Sequence, residues 1–212
     1  MPLITQIKPQ KNKSRFNVFI DGKFAFGLDA ETLMKKGLKE NQEISHEDIE
    51  ELVKENEFQK LLDKALRFLS YRPRSEKEIL DFLIRKQAGE ETSKMVMARL
   101  NDLGMVDDKA FSAWWVEQRK TFRPKGERGL KAELIRKGVD KELIKEATSE
   151  TVNEELLARE SLKRKMETFK KLPPEKYRQK VTSFLAYRGF SWETIKKILD
   201  NRNSEDYTEN SE

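Results

Sequence analysis

The spacing of apolar residues changes near residue 45, and the change separates two kinds of predicted structure. In SRFNVFIDGKFAFGL (14–28) short runs rich in Phe, Val and Ile lie on both sides of Asp21 and Gly22. Such runs are typical of strands, and an Asp-Gly pair suits a two-residue type I′ turn with positive φ at both positions. The segment is therefore predicted to form a hairpin in which Val18 lies opposite Ala25.

Both faces of this hairpin would be apolar, and an isolated hairpin is only marginally stable in water. We expect a third strand from LITQI (3–7) and a covering helix from DAETLMKKG (29–37), which would end at Gly37. Residues 1–45 are thus predicted to form a small N-terminal domain, a β-hairpin with a helical cap.

From Ser45 onward apolar residues recur every three or four positions, which is typical of helices. Ser45 stands three residues before Asp48, and this pattern favours a helix N-cap. The polar segment 54–57 predicts a bend or break, and a second apolar stripe runs from 58 to 69. No strand pattern follows Pro73, so the remainder of the chain is predicted to be helical.

The helical part contains one segment three times, at a spacing of 51 residues. FLIRKQ (82–87), ELIRKG (133–138) and FLAYRG (184–189) align without a gap, and LIRK is identical in the first two. The threefold identities are Leu83, Leu134 and Leu185; Glu91, Glu142 and Glu193; and Lys94, Lys145 and Lys196. So many identities at one spacing indicate a true repeat, and we expect the three leucines to be buried.

Each copy has the same order of elements: a helix, a proline-containing joint, a second helix with the LIRK-like segment, and a third helix. The predicted domains after the N-terminal one are residues 46–106 (helical repeat 1 with a linking helix), 107–150 (repeat 2), 151–200 (repeat 3) and 201–212 (a disordered polar tail). The predicted fold class is mainly α: three tandem three-helix repeats in an elongated curved array, preceded by the small β-hairpin and helix domain.

The composition agrees with a thin helical protein. Of 212 residues, 36% are hydrophobic and 38% are charged, which implies much surface per residue. The net charge is +5, and because the tail 201–212 carries −3, residues 1–200 carry +8. A basic body indicates an acidic or polyanionic partner, although a solvated helical surface with an ordinary excess of lysine would have the same composition.

The sequence also predicts where the protein acts. It contains no cysteine, which excludes disulfides and suits a reducing cytosol. The start MPLITQIKPQ has no apolar signal segment, and no long uncharged apolar run occurs. We therefore expect a cytoplasmic location and no membrane association.

Catalytic chemistry is not expected. His46 is the only histidine, and its place beside Glu47 and Asp48 at a helix start is typical of a solvated residue. The sequence has no phosphate-binding glycine motif and no set of His and Cys ligands for a transition metal. We predict that the protein is not an enzyme and uses no cofactor.

Two adjacent tryptophans lie in the middle repeat. At helical spacing Phe111 and Trp115 belong to one apolar stripe, and we assign both to the core. For Trp114 two interpretations remain open, a core position and an anchor for a base or a protein partner. Trp114 is therefore the candidate partner-contact aromatic residue.

Basic residues recur around the joints and at the ends of the second helices. In a repeat array such residues would form a row that could follow a nucleic-acid backbone or an acidic protein groove, although solvated helix surface is the plainer interpretation. The candidate row comprises Arg72, Arg74, Arg85, Lys86, Arg119, Arg123, Lys125, Arg128, Arg136, Lys137, Lys176 and Arg188.

These motifs also resemble a known family. The run ARLNDLGMVDDKAFSAWWVEQR (98–119), followed by KGERGLKAELIRKGVDKELI (125–144), closely resembles the RecX family of bacterial RecA regulators. LSYRPRSEKEILDFLIRK (69–86) resembles that family's first repeat, and the hairpin resembles the N-terminal extension of members from Firmicutes. Gln87, where the first repeat usually has glycine, and Ser93, where the other copies have isoleucine, depart from the pattern.

The resemblance implies a regulatory protein that binds RecA filaments on single-stranded DNA, lying in their helical groove. Such a protein modulates, and mostly inhibits, recombinase, ATPase and coprotease activity in homologous recombination, DNA repair and the SOS response. We also expect weak direct binding to single- or double-stranded DNA, and a monomeric protein.

The alternative is a helical protein that binds DNA independently of RecA. Three-helix units can resemble helix-turn-helix modules, and the LIRK helices could enter a major groove. Against this alternative, the helices lack a cluster of Asn, Gln and Arg residues that could read bases.

Overall fold

The computed structural model describes residues 1–11, 15–149 and 153–209, with side chains as far as Asp200. The strands are β1 (Ile4–Pro9), β2 (Arg15–Ile20) and β3 (Lys23–Asp29). The helices are α1 (Ala30–Lys35), α2 (His46–Ser70), α3 (Glu76–Arg85), α4 (Glu90–Asp102), α5 (Asp108–Phe122), α6 (Glu127–Arg136), α7 (Lys141–Ser149), α8 (Glu154–Lys170), α9 (Pro174–Tyr187) and α10 (Trp192–Glu209). The mainly helical fold with a small N-terminal sheet is confirmed.

The chain divides into two compact units. The first comprises Met1–Arg72 and Leu80–Met105, and the second comprises Pro73–Ile79 and Val106–Glu212. The first turn of α3 therefore belongs to the unit that holds α5 to α10.

The N-terminal sheet is antiparallel with the order β1-β2-β3. Asp21 and Gly22 have φ values of 48° and 78°, which confirms the predicted turn. The prediction that Val18 lies opposite Ala25 is wrong, because a register shift after Val18 pairs it with Phe26. This irregularity adds a residue to β3 and places Phe26 in the buried core together with Val18 and Ile20.

The cover of this sheet differs from the prediction. The expected helix forms as α1, but α1 contains no buried residue. The helix that joins the core of the sheet is α2, which contributes the buried Leu52 and the partly buried Ile49. The N-terminal part of the long helix α2 therefore packs against the apolar face of the sheet.

Helix α2 starts and continues for identifiable reasons. The Ser45 hydroxyl accepts a hydrogen bond from the Asp48 amide at 3.0 Å, which confirms the predicted N-cap. The break expected at 54–57 is wrong, because α2 is continuous from His46 to Ser70. Asn56, one of the polar residues in that segment, is buried and accepts a hydrogen bond from Nη2 of Arg15 at 2.5 Å.

The three repeats share one framework. Leu83, Leu134 and Leu185 are each 0% exposed, as the repeat predicts. Phe111 and Trp115 are buried in the core of the middle repeat, which confirms their assignment. That core also contains Leu134 and Ile144, and a separate core in the third repeat contains their equivalents, Leu185 and Ile195.

The ends of the second helices explain the glutamine that departs from the family pattern. Gly138 and Gly189 have φ values of 80° and 81°, and Gln87, at the equivalent position, has a φ of 57°. The left-handed backbone allows each amide to bond a carbonyl three residues earlier at 2.9 Å. Glutamine therefore keeps the helix end at a conformational cost of about 1 kcal/mol.

The end of the chain is only partly described. Helix α10 runs to Glu209, so the backbone of residues 201–209 continues the last helix. Residues 210–212 of the predicted polar tail lie outside the described residues.

Candidate functional site

The twelve predicted basic residues do not form one uniform exposed surface. Half of them are partly buried: Arg72, Arg74, Arg119, Lys125, Lys137 and Arg188. The other half are exposed: Arg85, Lys86, Arg123, Arg128, Arg136 and Lys176. The sequence pattern makes these residues equivalent, whereas their neighbours in the fold give them different roles.

Arg119 and Lys125 belong to a charge cluster in the middle repeat. Nε of Arg119 and Nζ of Lys125 each lie 2.7 Å from a carboxylate oxygen of Glu133. Nε1 of Trp115 donates to the same carboxylate at 2.9 Å, and the Arg119 guanidinium lies over the Trp115 ring at 4.2 Å. Burial alone would raise the pKa of Glu133, but hydrogen bonds from Arg119, Lys125 and Trp115 hold it below its ordinary value. This cluster is part of the internal structure of the repeat.

Lys137 is also engaged within the protein. Its ammonium group pairs with the carboxylate of Glu78 and lies 4.9 Å from the centre of the Trp115 ring. Because Glu78 belongs to the first turn of α3, this pair ties the start of α3 to the end of α6 within the second unit.

The contact between the start of α3 and the end of α6 has an equivalent 51 residues later, between the start of α6 and the end of α9. The Lys137 carbonyl accepts a hydrogen bond from the Ser75 hydroxyl at 2.7 Å. At the equivalent positions, the Arg188 carbonyl accepts a hydrogen bond from the Gly126 amide at 3.2 Å. The repeat therefore keeps the accepting carbonyl and replaces a side-chain donor with a backbone donor.

Arg188 lies in a different electrostatic environment from Lys137. Its guanidinium donates to the Pro124 carbonyl at 3.1 Å and lies over the Phe184 ring at 4.5 Å. Burial and then the positive charge of Arg123 hold the pKa of Arg188 below its usual value. Two guanidinium groups therefore repel each other at this place.

These residues border an open cleft, which we call the basic cleft. It has a volume of about 350 Å³ and lies where the end of α5, the middle of α8 and the end of α9 meet. Its charged lining residues are Arg123, Glu160, Lys163, Arg164, Lys165 and Arg188, and its aromatic lining residues are Phe122 and Phe184. Of the predicted row, Arg123 and Arg188 belong to this cleft.

Sequence reasoning missed the most exposed aromatic residue of the cleft. Phe122 is 65% exposed, whereas the candidate Trp114 is partly buried and its ring centre lies 6.1 Å from those of Phe111 and Trp115. A signal was available in the repeat, because Tyr71 precedes Phe122 by 51 residues and is 72% exposed. A contact of Trp114 with a partner stays a prediction.

A second carboxylate joins three helix starts in the second unit. The Glu154 carboxylate, at the start of α8, accepts hydrogen bonds from the hydroxyls of Ser191 and Thr194 at 2.6 and 2.5 Å. It also accepts longer bonds from the amides of Ser191 and Glu127. Burial would raise the pKa of Glu154, but these bonds outweigh it and lower the pKa. The partial positive charges of the helix starts favour the same ionised form.

We expect the pH dependence of folding to report this arrangement. The unfolded chain takes up the proton first, near the ordinary pKa of 4.5, because the folded-state pKa of Glu154 is lower. The stabilisation that the ionised Glu154 carboxylate gives to the folded protein is therefore fully present above that pH, and it is lost as the pH falls through the folded-state pKa. Urea denaturation over a series of acidic pH values should show a shallower loss of stability for Glu154→Gln than for the wild type. The exposed Glu167→Gln is the matched control, and an equal slope in all three proteins would contradict the assignment.

Residues 1–11, 15–149 and 153–209 contain no group of three or more His, Cys, Asp or Glu side chains that could hold a metal ion. Within the same ranges, no helix has both the length and the apolar character needed to cross a membrane.

Comparison with known proteins gives the relationship of the chain. Four family models match successive segments: the regulatory protein RecX N-terminal domain (2–45) and the first (62–100), second (107–147) and third (154–199) three-helix domains of RecX. The regulatory protein RecX of Bacillus subtilis is 39% identical over 204 residues, which cover 94% of this chain and 77% of the relative. The chain belongs to the RecX family.

Further RecX proteins agree with this relationship. The regulatory protein RecX of Clostridium perfringens strain SM101 is 32% identical, with 99% of this chain and 100% of the relative covered. A crystal structure of regulatory protein RecX superposes with a TM-score of 0.69 at 26% identity, covering 94% of this chain and 100% of that one. RecX from Lactobacillus salivarius shares the fold, with a TM-score of 0.57 at 22% identity over 68% of this chain and 96% of that chain.

Proposed function

We propose that this RecX protein binds RecA filaments on single-stranded DNA and mostly inhibits their recombinase, ATPase and coprotease activity. The observation that carries the proposal is the succession of four RecX family matches across the chain. The protein would act as a monomer in the cytoplasm, take part in homologous recombination and the SOS response, and bind DNA weakly by itself.

The exposed side chains of the second helices support a repeated partner. Ile84 and Ile135 occupy equivalent positions and are 69% and 60% exposed, and each is followed by an exposed arginine, Arg85 or Arg136. A filament presents the same surface on successive protomers, so equivalent side chains in successive repeats suit such a partner. Regulation would follow if these interactions were stronger in one filament geometry than in another.

Charge reversal of the two exposed arginines should weaken the inhibition. In Arg85→Glu with Arg136→Glu, the concentration needed to inhibit the RecA ATPase on single-stranded DNA should rise roughly tenfold, because rim charges contribute up to about 1 kcal/mol each. The matched control is Arg178→Glu with Lys180→Glu, two exposed residues of α9 that change the net charge equally. Lys137 is left intact because its pairing with Glu78 would confound folding with function.

Two results would contradict parts of the proposal. If the wild-type protein at micromolar excess changed neither the ATPase rate nor the filament length seen by electron microscopy, the regulatory function would be wrong. If the double variant inhibited as well as the control, the second-helix arginines would take no part in it.

The alternative function is DNA binding without RecA, and the basic cleft agrees with it as well as with the weak DNA binding of the proposed function. Salt-titrated binding to DNA of varied sequence distinguishes the two. Tight, sequence-selective binding without RecA would support the alternative, whereas weak binding that falls steeply with salt agrees with the regulator.

A further inference from the structure

The repeat provides an internal comparison that explains the charge of the basic cleft. Lys137 and Arg188 occupy equivalent positions, 51 residues apart. Lys137 is neutralised by Glu78, but the residue equivalent to Glu78 is Gly129. Among the described residues, Arg188 therefore has no carboxylate partner within 4 Å.

A second carboxylate is replaced in the same comparison. Glu133 binds Arg119 and Lys125 in the middle repeat, and its equivalent in the third repeat is Phe184. Phe184 lines the basic cleft and lies beneath the Arg188 guanidinium. Because of these two replacements, the positive charges near Arg188 lack the carboxylates that neutralise the equivalent place near Lys137.

The remaining lining residues strengthen this charge. Arg123, Lys163, Arg164 and Lys165 join Arg188, and all except Arg188 are exposed. The carboxylate in the lining, Glu160, pairs with Lys163 at 3.2 Å. The cleft therefore carries an excess of four positive charges that a bound polyanion would neutralise.

An exposed aromatic ring stands directly beside these cations. Phe122 precedes Arg123 in the sequence Phe-Arg-Pro-Lys, and the equivalent residues of the first repeat are Tyr-Arg-Pro-Arg, beginning with the exposed Tyr71. An exposed ring next to several cations is the arrangement on which unpaired bases stack while their phosphates are neutralised. A base inside a duplex offers no free face to such a ring.

We propose that the basic cleft binds the phosphodiester backbone of single-stranded nucleic acid, with one base stacked on Phe122. The observations favour this ligand over an acidic peptide, which would use the cations but not the ring. The proposal names a site for the weak DNA binding that is part of the proposed function, and it rests on the proposed function in this respect alone. It concerns binding by the protein in the absence of RecA.

Charge reversal tests the interaction with the phosphates. Binding of fluorescein-labelled oligothymidylate is measured by anisotropy at several salt concentrations for Arg164→Glu with Lys165→Glu. The affinity should fall about tenfold or more, and the slope of log affinity against log salt should shrink by roughly 0.7 for each phosphate that the variant no longer neutralises. The control, Arg178→Glu with Lys180→Glu, has the same net charge and lies outside the cleft lining. An equal fall in affinity in both variants would overturn the proposal.

A second pair of variants tests stacking. Phe122→Leu should weaken oligothymidylate binding roughly five- to tenfold, with little effect on duplex DNA of the same length. Tyr187→Leu, which removes an exposed aromatic ring outside the cleft lining, should leave both affinities unchanged. If Phe122→Leu had no effect and oligoglutamate competed as well as oligothymidylate, the cleft would be an acidic-peptide site and the proposal would be wrong. Circular dichroism confirms that each variant is folded.

The same variants separate this proposal from the regulatory one. Loss of oligothymidylate binding in the cleft variants supports the cleft whether or not RecA inhibition survives. Unchanged binding in the cleft variants would overturn the cleft site even if the wild-type protein inhibits the RecA ATPase.

Discussion

Replacing Glu133 with alanine should lower the free energy of unfolding of the second unit by about 3 kcal/mol, because it leaves two cations without their carboxylate in a partly buried site. The carboxylate is 12% exposed, and its partners Arg119 and Lys125 are 22% and 23% exposed. Trp115 would also lose the acceptor of its indole N–H. Urea denaturation followed by tryptophan fluorescence measures the change.

Two further variants identify the cause of this destabilisation. Glu133→Gln keeps an acceptor for Trp115 and removes only the charge, so its cost should be smaller, roughly 2 kcal/mol. The triple change Glu133→Leu, Arg119→Met and Lys125→Met should recover most of the stability, since well-packed apolar residues can replace a buried ion cluster.

The control for this prediction is Glu142→Ala, an exposed glutamate of α7, which should change stability by less than about 0.5 kcal/mol. If Glu133→Ala cost no more than Glu142→Ala, or if the triple variant were less stable than Glu133→Ala, the cluster would not be held by buried charge pairing.

The framework of the repeats could be predicted because it depends on register. A spacing of 51 residues places Leu83, Leu134 and Leu185 at the same position of successive repeats, and all three are buried. The same register explains why Gln87 adopts the left-handed conformation of Gly138. Local sequence and repeat spacing were sufficient for these features.

The environment of the basic residues could not be predicted in this way. The LIRK segment is identical in two copies, yet Lys86 is exposed above the Phe82 ring while Lys137 pairs with Glu78, which lies 59 positions earlier. Such pairing depends on which residues the fold brings near each repeat, and the LIRK sequence itself does not contain that information.

The N-terminal sheet shows a similar limit. The short apolar runs and the Asp-Gly pair predict the strands and the turn correctly, but one bulge after Val18 separates the observed pairing from the predicted one. The sequence pattern predicts that the nearest helical segment covers the sheet, whereas the apolar face of the sheet packs against α2. Short-range patterns predict elements better than they predict which elements pack together.

The close contact between the start of α6 and the end of α9 leads to the second prediction of a large loss of stability. Gly129→Ala should destabilise the second unit by about 3 kcal/mol or more, although alanine in a helix interior is ordinarily about 1 kcal/mol better than glycine. A Cβ at Gly129 would overlap the Arg188 carbonyl oxygen, and one at Gly189 would overlap the backbone of Gly129. The Arg188 carbonyl cannot simply move away, because it accepts the hydrogen bond of the Gly126 amide.

Gly104→Ala is the control that isolates backbone conformation from steric overlap. Gly104 has a φ of 64°, and a Cβ there would meet nothing within 4 Å, so its replacement should cost only about 1–2 kcal/mol. Urea denaturation of the three proteins compares the effects, and a gain of stability in Gly129→Ala would show that the two backbones do not touch. Since Arg188 also lines the basic cleft, the displacement of α9 in Gly129→Ala should weaken oligothymidylate binding as well, which Gly104→Ala should leave unchanged.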